Sequence, residues 1–182
     1  MRRIAAVTLA VAVAVGCSAT EEAKAIDWDL SDSHATDRVD FPGGTTAFQR
    51  EDTDVTIRLP GGKAFDGHGT VFVSREGDRI RDIRVQFPKE GTDQAYERAV
   101  ELAHVWDVDP ANLDQWHDRR LAQRKAGDED LTDTFGAETG GPTDPVGGPG
   151  GPLVSVEVLY SFDDSAPAIA AIAFFWPRES SS

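Results

Sequence analysis

The chain has 182 residues and carries 18 basic against 32 acidic side chains, a formal charge of −14 at neutral pH. That balance excludes binding to a phosphate backbone through counterion release, and so excludes nucleic acid as a partner. It also opposes electrostatic adsorption to anionic lipid, and with a single cysteine no internal disulfide can form.

The N-terminus reads Met1-Arg2-Arg3, then a 12-residue apolar run from Ile4 to Val15 interrupted at Thr8, then Gly16-Cys17. A basic start, a short apolar stretch and a small residue before a processing point are the parts of an export signal. As a helix the run covers about 18 Å, against the roughly 30 Å of a bilayer core. The segment Ala14-Val15-Gly16-Cys17 resembles the lipobox of bacterial lipoproteins, with Ala14 in place of the usual branched residue. The resemblance covers about 20 residues. It implies cleavage after residue 16, a diacylglyceryl group on the Cys17 sulfur and attachment to the outer face of the cell membrane. Two acyl chains suffice for stable anchoring. The alternative is an ordinary secretory signal with an incidental cysteine. Removing residues 1–16 takes away Arg2 and Arg3, which leaves 16 basic and 32 acidic side chains. Fourteen arginines against four lysines, and one asparagine, fit the codon bias of a high-GC Gram-positive bacterium.

Residues 17–40 carry Glu21, Glu22, Asp27, Asp29, Asp32, Asp37 and Asp40, a self-repelling composition that reads as an acidic tether. Ile26, Trp28 and Leu30 alternate with Asp27 and Asp29, which allows a short docking strand. Residues 41–178 read as a single domain. Strand signals begin near Thr45, with Val55 to Leu59 alternating up to Pro60-Gly61-Gly62. Asp66-Gly67-His68-Gly69 reads as a tight turn. Thr70 to Ser74 and Arg79 to Phe87 form a hairpin through Arg75–Asp78, with Ile83, Val85 and Phe87 on the dry face. Its arginines Arg75, Arg79, Arg81 and Arg84 interleave with Glu76, Asp78 and Asp82, which predicts cross-strand pairing rather than an anion site.

The period then changes. Thr92 is placed to cap a helix to about Trp106, with Ala95, Ala99, Leu102, Ala103 and Trp106 on one stripe. Asp109 and Pro110 open a second helix whose stripe is Leu113, Trp116 and Leu121. Residues 127–152 hold eight glycines, four prolines and six acidic residues without a lysine or arginine. They read as a mobile loop, whose removal costs little. Leu131 and Phe135 are candidates to pin its first half. Val154 to Phe162 alternates, Asp163 to Pro167 turns, and Ile169 to Trp176 is apolar on both faces, as a covered central strand is. The order β-meander, two helices, β-hairpin predicts an α+β fold with an antiparallel sheet and both helices on one face.

No catalytic signature emerges. The chain lacks a GxSxG elbow, a P-loop, HExxH and CxxC. Counted from Asp128, an EF-hand loop fails at its sixth and twelfth positions, Asp133 and Thr139. His34 falls in the tether. The one alternative chemistry is His104 and His117 facing each other, with Asp107 and Asp109 at the junction, as a metal or acid–base site of a small envelope hydrolase. The first expectation is therefore a noncatalytic lipoprotein with no catalytic residue, metal or cofactor assigned, binding a protein or small-molecule partner outside the cytoplasm.

Overall fold

The computed structural model describes residues 25–126, 135–139, 143–161 and 167–177. The architecture is α+β: one sheet with two helices packed on one of its faces. The strands are β1 (Ile26–Asp29), β2 (Ala47–Arg58), β3 (Ala64–Glu76), β4 (Arg79–Gln86), β5 (Phe135–Thr139), β6 (Leu153–Ser161) and β7 (Ile169–Phe175). The helices are α1 (Thr92–Val105) and α2 (Ala111–Ala126). In space the strands run β1-β2-β3-β4-β7-β6-β5. Every neighbouring pair is antiparallel except β1 with β2, which is parallel. The sheet is therefore mixed at one edge.

That edge lies inside the segment expected as a tether. Ile26, Trp28 and Leu30 are buried and Asp27 and Asp29 exposed, so the alternation of the sequence is a strand docked on β2. Val39 is buried too, and Phe41 meets Phe48 edge to face at 4.9 Å. Residues 25–40 thus belong to the folded unit, because their apolar side chains outweigh the repulsion between carboxylates. Residues 17–24 lie outside the described residues.

The meander and the C-terminal hairpin meet through β4 and β7, with Ile83 opposite Phe174 and Val85 opposite Ile172. β7 sits centrally between β4 and β6, as its two-sided apolar run predicts. Phe174 is the hub of the core, with Trp106 at 5.2 Å and Phe65 at 5.5 Å, both edge-on. Such pairs add about 0.5–1.5 kcal/mol beyond burial alone. Helix α1 reaches β6 and β7 through Ala95, Ala99 and Ala103, all fully buried; small side chains let the helix lie close to the strands.

Local corrections have local causes. The cap of α1 is Gly91, whose N–H donates to Gln94 Oε1 at 3.2 Å, and Thr92 is the buried first residue. Asp109 does cap α2, with Oδ1 accepting from Ala111 N at 3.0 Å. The buried stripe of α2 runs Leu113, Trp116, Arg120, while Leu121 is half-buried. Asp66-Gly67-His68-Gly69 is not a turn but the first half of β3. Gly69 is there because a Cβ would stand 2.1 Å from the Gln86 carbonyl oxygen, in the neighbouring strand's path.

The segment expected as a mobile loop is largely structured where it is described. Residues 135–139 form β5 against β6. Val146 packs on the core, its N–H donates to the Pro152 carbonyl at 2.9 Å, and Gly147 lies against Pro60 and Gly61. At Gly147 φ is +76° and a Cβ would fall 2.4 Å from the Pro60 carbonyl carbon, so glycine is required twice over. The glycine-rich composition marks a compact turn there. Residues 127–134, Leu131 among them, and 162–166 lie outside the described residues.

Candidate functional site

Alternation along each strand sorts the sheet into two faces. The face with Ile83, Val85, Ile172 and Phe174 meets the helices. Among the described residues no helix lies on the other face. The register aligns Phe72 with Arg84, Arg84 with Ala173 and Ala173 with Ser155 in one row of it. The next row sets Gln86, Ala171 and Glu157 side by side. Partly exposed Leu153, Leu159, Ile169 and Phe175 border these rows.

At the middle of this face Arg84 of β4 reaches over the central strand to Glu157 of β6. Its Nη2 donates to Oε1 at 3.3 Å. Glu157 is 9% exposed, whereas the Arg84 side chain is 40% exposed with its Nε buried and without a hydrogen-bond partner. The intervening residues of β7 are Ala171 and Ala173, both buried. A longer side chain at either would lift the guanidinium off the sheet. The polar pair and the small residues beneath it are thus one arrangement, ringed by half-exposed apolar side chains. Sequence reasoning placed Arg84 in a hairpin cluster and did not reach Glu157. The two are 73 residues apart, and only strand order joins them.

The β1–β3 end of the same face is acidic. Asp27, Thr56 and Asp66 share one row, and the Thr56 hydroxyl donates to Asp66 Oδ1 at 2.6 Å. Arg58 pairs with Asp27, and this hydrogen bond raises the arginine's pKa. Asp29 is held below the usual carboxylate range, chiefly by the Ser31 hydroxyl and then its N–H. His68 stands opposite Asp54, with Nδ1 2.9 Å from Asp54 Oδ1 and Nε2 3.0 Å from Asp52 Oδ1. Hydrogen bonds to Asp54 and then Asp52 raise its pKa above the ordinary value.

The helices hold a second polar cluster. His117 Nε2 lies 3.2 Å from Asp93 Oδ1, and its ring stacks on Tyr96 at 3.8 Å, nearly parallel. The Tyr96 hydroxyl donates to Asp114 Oδ1 at 2.8 Å. Burial first, then this bond and the charges of Asp114 and Asp118, push the phenol up to about 12. His104 is exposed near the other end of α1, about 16 Å of helix beyond Asp93. No described contact joins it to His117, so the structure does not assemble the expected imidazole pair. Asp109 is occupied as a cap, and Asp107 turns the chain with φ 57°.

The other candidates resolve into structural roles. His34 stacks on Trp176 at 5.3 Å. Of the hairpin arginines, Arg81 pairs across the hairpin with Glu76 at 3.5 Å, while Arg75 Nε and Arg81 Nη1 hold the carbonyls of Thr45 and Trp176. Among the described residues no group of three or more His, Cys, Asp or Glu is placed to hold a metal, and no helix is long and apolar enough to cross a membrane. Cys17 and Asp128–Asp133 lie outside the described residues. No protein family, no curated protein and no solved structure matches this chain.

Proposed function

We propose that the chain is an extracytoplasmic lipoprotein, held at the outer face of the cell membrane through Cys17, whose α+β domain binds a protein partner through the helix-free face of its sheet. The anchor rests on the order of residues 1–17: basic, apolar, small, cysteine. The binding role rests on one observation, the ring of half-exposed apolar side chains around the Arg84–Glu157 pair. Among the described residues no helix covers this face, and its half-exposed apolar side chains remain open to burial against a partner.

Size favours a macromolecule over a small ligand. Seven strands about 4.8 Å apart span roughly 29 Å, and the seven residues of β7 run about 23 Å. That footprint approaches the roughly 800 Å² each partner contributes to a standard interface. The acidic β1–β3 end and the surplus of carboxylates leave nucleic acid outside the range of partners.

Photo-crosslinking in the native envelope tests this reading. A crosslinking side chain at Phe72, on the helix-free face, is expected to capture a discrete protein. The same group at Val105, exposed on α1, is expected to capture none. Capture from Val105 with none from Phe72 would move the contact surface to the helices and end the sheet-face proposal.

A further inference from the structure

β2 carries a bulge. Arg50 pairs with Val71 and Thr53 with Gly69, so Glu51 and Asp52 together stand opposite Thr70. Asp52 takes φ 49°, a left-handed conformation uncommon for any residue but glycine. β1 covers β2 over Val55–Arg58, and among the described residues 47–54 pair with β3 alone. The bulge therefore sits just beyond the described pairing of β1 with β2.

Two side-chain ties hold the bulge. The buried Thr53 hydroxyl donates to the Glu51 carbonyl at 2.7 Å, a bond that does not titrate. The second tie is His68, which meets Asp54 through Nδ1 and Asp52 through Nε2. An ionised carboxylate only accepts, and a neutral imidazole has one N–H where the imidazolium has two. Both contacts can be hydrogen bonds only while the ring is doubly protonated. Deprotonation must surrender one of them.

We propose that Asp52, His68 and Asp54 form a pH-responsive clasp that orders the β2 bulge while His68 is protonated and releases Asp52 when it is not. The charges bearing on the ring are those of Asp54 and Asp52 on β2. Asp66, two residues away on the same face of β3, is engaged by Thr56, and β4 presents the uncharged Gln86 beside Thr70. Both carboxylates favour the imidazolium, so the midpoint lies above the ordinary histidine value and the clasp opens as pH rises through it. Asp52 is the contact given up, since its side chain is the more exposed, 92% against 79% for Asp54, and its contact the longer, 3.0 against 2.9 Å.

Carbon-detected NMR of the full chain tests the clasp without relying on amide protons. Titrated from about pH 5 to about pH 9, across the histidine range, the His68 ring should show both nitrogens protonated at the acid end. Its midpoint should exceed the ordinary value. The Asp52 Cα shift should move with the same midpoint, because that shift reports backbone angles. His68→Gln should abolish the Asp52 step. Asp52→Gly should keep the bulge, since glycine accepts positive φ, and should lower the His68 midpoint. An Asp52 Cα shift that ignores the His68 titration, or a step that survives in His68→Gln, would overturn the proposal.

Discussion

Tyr96 shows how one residue's chemistry follows from its neighbours. It lies on the first turns of α1, one face against the His117 ring and its hydroxyl on Asp114 of α2. Burial and two carboxylates oppose the phenolate, and the pKa rises to about 12. The sign is direct. The folded chain keeps the proton to higher pH than the unfolded chain, whose tyrosine titrates near 10. The stabilisation is complete below about pH 10 and is lost as pH rises towards 12. Denaturant unfolding at several pH values should show stability falling across that window. Tyr96→Phe should lower stability below it and flatten the slope within it. An unchanged slope in Tyr96→Phe would show that the tie to Asp114 is not formed in solution.

At the scale of elements, the turn at 143–152 departs furthest from expectation. Glycine and proline content reads as a chain unable to bury enough apolar surface to hold a fixed shape. Three residues escape that reading: Val146 on the core, Gly147 against Pro60 and Gly61, and Gly151, where a Cβ would meet the Val146 carbonyl. Each glycine admits a backbone where no side chain fits, and composition does not distinguish a glycine required by contact from one tolerated by disorder. Gly147→Val should therefore cost about 2 kcal/mol from left-handed strain and the clash with Pro60. That lowers Tm by roughly 4–8 °C in a chain of this size. A thermal melt indistinguishable from the parent would mean that the turn does not rest on Pro60. By contrast, the alanine stripe of α1 was legible, because Ala95, Ala99 and Ala103 recur at helical spacing beside Trp106.

At the scale of the whole molecule, the chain's charge opposes the lipid attachment proposed at Cys17. Under the processing we propose, the chain keeps 32 acidic and 16 basic side chains and gains nothing from anionic headgroups, so the proposed attachment rests on acyl chains at Cys17. Cys17→Ala should release the protein from membranes or leave it unprocessed, as read by fractionation and gel mobility. A high-salt wash should leave the parent chain bound, because salt screens charge and leaves hydrocarbon burial intact. Retention of Cys17→Ala at parental levels would end the anchor proposal.

Sequence alone determined what depends on period and local chemistry. Alternation in Val55–Leu59 and Arg79–Phe87, the helical stripe after Gly91, the two-sided apolar run of β7 and the docking strand at Ile26–Leu30 were all readable. The proposed export signal rests on sequence alone, in the order of residues 1–17. Tertiary structure alone decided what depends on register between distant strands. It set Asp54 beside His68 and carried Arg84 over two alanines to Glu157. The reason is physical. A side chain's face follows from its own strand, but its neighbour across the sheet is fixed by how all seven strands satisfy their backbone hydrogen bonds together.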